Sequence, residues 1–117
     1  MFGVFVGGGI GALLRAWICA GINSYYGTMI VNITGAFFIG VLYEYFRSKS
    51  NVSPEIRLFL MTGLLGGFTT FSTYLLDFMV LLERQKNPEA FLYLFFSIGL
   101  GIAAVLAGMK ITTAFIN

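Results

Sequence analysis

Histidine is absent from this chain, cysteine occurs once, proline twice, and charged residues make up only 10% of its 117 positions. Without an imidazole, the acyl-transfer and metal-hydrolysis schemes that depend on one drop out, and no convergent carboxylates or Ser-Lys pair stand in for it. Cys19 alone excludes an intrachain disulfide and argues against a cysteine-based metal site; inside an apolar stretch it reads as a small packing residue. The net charge of +2 is too small to imply nucleic acid as a partner. Soluble domains carry about 25% charged residues. A chain this poor in charge, 58% hydrophobic and with mean hydropathy +0.89, is a membrane protein.

A lipid-crossing helix needs about 20 apolar residues, so four spans use most of the length and leave no room for a soluble domain. The spans are expected at about residues 3–22, 28–46, 57–83 and 90–115. Asn23-Ser24-Tyr25-Tyr26-Gly27 links the first pair, Arg47 to Pro54 the second, and Glu83 to Glu89 the third. Ser53-Pro54-Glu55 reads as a helix start, with Ser53 as cap and Pro54 in the first turn. Met1-Phe2-Gly3-Val4 has no basic leader region or cleavage site, so the first span is expected to be retained. Both termini and the second loop then share one side, with Arg47, Lys49, Arg57 and Lys110, against Arg84 and Lys86 opposite. Lys and Arg normally favour the cytoplasmic side clearly. A bias this small sets orientation only weakly.

The stretch that departs most from a lipid-facing helix is Thr62-Gly63-Leu64-Leu65-Gly66-Gly67-Phe68-Thr69-Thr70-Phe71-Ser72-Thr73-Tyr74, with three glycines and five Thr or Ser residues. Broken backbone at membrane depth is tolerated only where its freed groups find partners in packed protein or along a cavity. The segment is therefore either a packed kink or an ion site. Small residues at four-residue spacing allow close helix approach: Gly3, Gly7 and Gly11 lead to Arg15, Gly8 to Ala12, and Gly99 to Ala103 and Ala107. These stripes suggest a homo-oligomer, most simply a dimer, or close packing within one chain.

Arg15 is costly inside a span, and faces a cavity, snorkels, or pairs with Asp77 or Glu44. Asp77, about one turn beyond the break, is the other costly charge, while Lys110 reads as a snorkelling end residue. On the second span Thr28 and Asn32 share a face, as do Tyr93, Ser97 and Gly101 on the fourth. Asn32 serves as an amide donor to an ion or as an interhelical bond; the hydroxyls line a path or bond their own helix. Phe71 and Tyr74, three apart, share a face near the break, and aromatic rings present a positive edge. Ring edges, an amide N–H and hydroxyls together suit a small anion; unwound carbonyls suit a cation. Tyr25, Tyr26, Tyr43 and Tyr45 fit an interfacial belt.

Three stretches taken in order resemble the CrcB/Fluc fluoride-channel family over essentially the whole chain: Gly7-Gly8-Gly9-Ile10-Gly11-Ala12-Leu13-Leu14-Arg15, Gly27-Thr28-Met29-Ile30-Val31-Asn32-Ile33-Thr34-Gly35-Ala36-Phe37, and Gly63 to Thr73. The resemblance implies an all-α membrane protein of four transmembrane helices with a broken third helix. It also implies an antiparallel, dual-topology homodimer in a bacterial plasma membrane, exporting fluoride passively through two pathways lined by both subunits. By position, Asn32 matches the pore asparagine and Phe71 the first of two pore phenylalanines. Tyr74 occupies the second with an added hydroxyl. Gly66 and Thr69 match positions whose backbone carbonyls hold a structural sodium ion at the dimer centre. Thr28, Tyr93 and Ser97 fall on the polar track, where Gly101 lacks a hydroxyl; Arg15 matches the first-helix arginine, and Asp77 a position usually held by Glu. Tyr74, Gly101 and the slight charge bias leave open an obligate heterodimer with a sister chain. A small multidrug transporter, also a four-span dimer, would need an acidic residue in the first span, where this chain has Arg15.

Overall fold

The structure is a computed structural model that describes residues 1–49 and 51–116; Ser50 of the second connection and Asn117 lie outside the described residues. A chain whose apolar stretches must cross lipid satisfies its own N–H and C=O groups by coiling into helices. Four helical stretches are long and apolar enough to do so: Phe2–Gly21, Tyr26–Ser48, Pro54–Glu83 and Asn87–Ile116. The expected spans are all present, each begun one to three residues earlier than the apolar pattern alone suggests. The first, second and fourth are single helices, α1 (Phe2–Gly21), α2 (Tyr26–Ser48) and α6 (Asn87–Ile116).

The third span is composite. It runs through α3 (Pro54–Arg57), a π-helical stretch (Leu58–Leu65), α4 (Gly66–Phe68), an extended break at Thr69, and α5 (Ser72–Glu83). Its start follows the sequence signal: the Ser53 hydroxyl accepts from Ile56 N–H at 3.3 Å, and Pro54 fills the first turn, where its missing N–H costs nothing. A π-helical widening of this kind is rare and concentrates at functional sites.

The bundle is built from two close pairs, α2 against α6 and α1 against the third span. Glycine sets both. A Cβ on Gly108 would stand 3.0 Å from Val41 N, and one on Gly40 3.2 Å from Met109 N, so α2 and α6 touch backbone to backbone. A Cβ on Gly7 would stand 2.9 Å from Leu64 N, and one on Gly11 2.8 Å from Phe68 N. The Gly3-Gly7-Gly11 and Gly8-Ala12 stripes thus serve packing within the chain. The third stripe does not: Gly99 has nothing within 4 Å, and Ala103 and Ala107 are exposed.

This contact makes a prediction. Gly11→Val is expected to prevent folding, because the new methyls meet α4 backbone rather than a side chain that can rotate away, and overpacking of this sort costs about 1–3 kcal/mol even where neighbours can shift. Circular dichroism and size-exclusion profiles in detergent check it. A monodisperse, fully helical variant would contradict the packing described.

Charges on the side of the termini are held by the fold. Glu44 is 4% exposed, yet both carboxylate oxygens meet Arg47 Nη2, at 2.7 and 2.9 Å, and one also accepts from Thr113 Oγ1 at 3.1 Å. Arg57 reaches back to donate to the carbonyls of Phe46 and Lys49, each at 3.3 Å, placing a cation at the C-terminus of α2 where the helix dipole favours it. At the opposite end, Tyr74, Leu81, Ala90 and Tyr93 form a small core between α5 and α6, joined by Tyr25 and Met29 from the α2 side.

A cavity at the broken helix

The break is created by side chains that take over backbone partners. Leu65 O accepts from both Thr69 N and Thr69 Oγ1, each at 3.0 Å, and the chain then turns extended at Thr69, φ −92° and ψ 161°. Asn32, on the adjacent α2, clamps the next residue at both ends: Thr70 N donates to Oδ1 at 2.8 Å, and Nδ2 donates to Thr70 O at 2.9 Å. The Thr70 hydroxyl in turn accepts from Thr73 N at 3.2 Å, starting α5. On the far side Arg15 Nε donates to Gly67 O at 3.1 Å.

These diversions have a definite product. In a continuous helix Gly66 O would receive Thr70 N, and Thr69 O would receive Thr73 N. Both N–H groups are committed elsewhere, to Asn32 Oδ1 and Thr70 Oγ1, and among the described residues no side-chain donor replaces them. Gly66 and Thr69 are therefore among the residues whose carbonyls lose their helical donor, with Phe68 and Gly67, the last of which Arg15 satisfies.

A cavity of about 400 Å³ opens beside the break, and its walls bring together Asn32, Gly66, Thr69, Phe71, Tyr74 and Ser97. Among the described residues, no charged side chain lines it. Phe71 is 71% exposed, so the cavity is open on that side, whereas Tyr74 is 5% exposed. Their ring centroids are 6.1 Å apart. The Tyr74 hydroxyl does not face the cavity freely; it donates to Leu94 O on α6. Ser97 Oγ is buried with no hydrogen-bond partner. The remaining polar-track residues lie beyond Tyr74: its ring packs on Tyr93 at 5.3 Å between centroids, Tyr93 Oη donates to Asp77 Oδ2 at 3.1 Å, and Thr28 is buried beside Tyr93. Tyr25 Oη, further out, donates to Glu89 at 2.8 Å.

Arg15 takes none of the ionic partners the sequence allowed. Glu44 belongs to Arg47 and Asp77 to Tyr93, so the guanidinium supports the break from behind and does not line the cavity. Gly101, with nothing within 4 Å, contributes nothing to it either. The two-ended Asn32 clamp was not legible beforehand. A signal was present: a Thr-Thr pair after Gly-Gly opposite a buried-face amide is a set of partners for a broken turn.

Among the described residues, then, the chemistry present is a neutral set comprising an amide, a free hydroxyl and aromatic rings, with Gly66 and Thr69 of the break also in the lining. Three or more Asp, Glu, Cys or His side chains gathered for a metal do not occur among them. Three continuous membrane helices packed with a broken one, beside a pocket of this kind, have the architecture of a membrane transport or channel protein. Residues 2–109 match the family described as CrcB-like protein, Camphor Resistance (CrcB), and the chain belongs to it. Among its relatives, the fluoride-specific ion channel FluC of Rhizobium meliloti (strain 1021) is 42% identical over 119 residues, 97% of this chain and 95% of that protein. The protein of the same name from Rhizobium leguminosarum bv. trifolii (strain WSM2304) is 44% identical over 117 residues, 95% of this chain and 94% of that one. That of Agrobacterium fabrum (strain C58 / ATCC 33970) is 44% identical over 114 residues, covering 92% and 91%.

Proposed function

We propose that this chain forms a fluoride-selective channel in the bacterial plasma membrane, letting fluoride leave the cytoplasm by passive electrodiffusion and so limiting its toxicity. The observation that carries this reading is the cavity at the break, in which the Asn32 amide and the unpartnered Ser97 hydroxyl stand among largely apolar walls with no charged side chain among the described residues. Fluoride is small and strongly hydrated, so a narrow dry path must return that hydration through positioned donors. A charged pocket would hold the ion too long. Asn32, Phe71, Tyr74 and Ser97 supply the contacts in the cavity, and Thr28 and Tyr93 extend the polar path toward Asp77.

The open side at Phe71 favours a second copy, and the family reading makes that partner an antiparallel subunit of a dual-topology homodimer with a pathway on each side. The freed carbonyls of Gly66 and Thr69 suit a hard cation, and they are the groups that would hold a structural sodium ion, which supplies fixed positive charge at the dimer centre. Gly66 offers a clean test. A Cβ there meets nothing closer than 3.8 Å within the chain. Gly66→Val is therefore expected to leave helix content intact while abolishing dimerisation and flux, read by circular dichroism, cross-linking and efflux; a flux-competent dimer would remove Gly66 from the interface.

The deciding experiment is fluoride efflux from liposomes holding this one purified chain, followed with a fluoride electrode, with chloride as the control. Selective fluoride flux is the expected result and makes the assembly a homo-oligomer. Flux only after a sister chain is added would establish the heterodimer instead, and transport of some other solute without fluoride would overturn the reading.

A further inference from the structure

Ser97 raises a question that the channel reading alone does not answer. A serine in a membrane helix ordinarily hides its hydroxyl on its own backbone, three or four residues back, which here means Leu94 O or Tyr93 O. Ser97 does neither: its Oγ is buried, the residue is 9% exposed, and no partner is in reach. Buried polar atoms left unpaired are few and call for a cause. One of the two acceptors is already taken. A carbonyl has two lone pairs; that of Leu94 receives the helical N–H of Ile98 on one side and the Tyr74 hydroxyl on the other. Leu94 O is thereby filled.

We infer that Tyr74 is a positioning residue for the ion: by occupying Leu94 O it closes one of the two backbone acceptors open to the Ser97 hydroxyl and so favours the orientation that presents the Ser97 proton to the anion in the cavity. The inference rests on the fluoride reading above and adds to it a role for the one aromatic hydroxyl at the pocket. Both residues line the cavity, and both belong to elements, α5 and α6, whose packing fixes the ring in the small core around Tyr93. The ring would pack there without its oxygen. The oxygen matters through Ser97.

The test is a double-mutant cycle on the reconstituted channel, with Tyr74→Phe, Ser97→Ala and the pair, each measured as fluoride efflux against fluoride concentration. Tyr74→Phe keeps the ring and removes only the oxygen, so helix content and dimer elution are expected to be unchanged. Returning the Ser97 proton to Leu94 O is expected to raise the half-saturating fluoride concentration about fivefold, the worth of one competing hydrogen bond, with little change in maximal rate. Ser97→Ala is expected to do the same, and adding Tyr74→Phe to it to do nothing more. Equal curves for Tyr74→Phe and wild type would overturn the inference, as would effects that multiply in the pair, since Tyr74 would then act by packing alone. Wild-type protein without fluoride flux would sink the channel reading and this inference with it. Wild-type flux with an indifferent Tyr74→Phe would sink only the inference.

Discussion

Asn32→Asp is expected to reduce fluoride flux by more than about a hundredfold while the protein still folds. The substitution is nearly isosteric and keeps the acceptor that receives Thr70 N at 2.8 Å. What it removes is the donor. Nδ2 gives one hydrogen to Thr70 O at 2.9 Å, and an amide has two, so the second is available to an ion in the cavity. A carboxylate loses both and sets a negative charge against the Thr70 carbonyl and against any anion that enters. Two unit charges about 5 Å apart at an effective dielectric of about 20 repel by about 3 kcal/mol, enough by itself for the loss expected. Fluoride efflux from liposomes, beside a detergent elution profile matching wild type, checks it. Asn32→Ala separates the two effects, since it removes the clamp without adding charge. If Asn32→Asp passed fluoride at the wild-type rate, the amide would be a structural clamp only.

The clamp also shows where a reading of sequence stops. Four spans, their order and the Ser53-Pro54 start follow from local rules: apolar length, capping and the chemistry of proline. The broken third helix follows from glycines and hydroxyls where lipid tolerates neither unless they are partnered. The partners themselves are a matter of geometry between elements, which periodicity does not encode. Arg15 had two carboxylates to choose from and took Gly67 O instead; no local pattern separates those outcomes, because each needs the crossing of α1 over the third span. The widened π-helical stretch Leu58–Leu65 likewise has no signature in its run of Leu, Phe and Met. It is the stretch packed along α1. Of the cavity residues, Asn32, Phe71 and Ser97 were legible as polar or aromatic features on shared faces, whereas the direction of the Tyr74 hydroxyl was not. Aromatic position is set by burial, but a hydroxyl direction depends on which carbonyl of the neighbouring helix lies opposite.

The contrast between the two rings supplies the second large effect. Phe71→Ile is expected to abolish detectable fluoride flux with no loss of fold stability, although Phe71 and Tyr74 sit three residues apart on the same helical turn. Phe71 is 71% exposed in the subunit. Its ring stands at the entry of α5, outside the core of Tyr74, Leu81, Ala90 and Tyr93, so exchanging it for another apolar side chain leaves subunit packing untouched. The exchange removes the ring's quadrupole. A phenyl edge is electropositive and an alkyl surface is not, so an anion that has shed water meets no compensation at that wall, and an isolated desolvated ion costs many kcal/mol. Phe71→Tyr keeps the edge and is expected to retain flux. The same reasoning makes Tyr74→Ile a different kind of mutant: with that ring 5% exposed and packed edge-on against Tyr93, its loss opens the core and lowers stability as well as flux. Efflux assays paired with thermal unfolding in detergent separate the two cases. Equal destabilisation by both substitutions, or fluoride flux through Phe71→Ile, would contradict the assignment of Phe71 to the ion's path alone and of Tyr74 to both that path and the core that frames it.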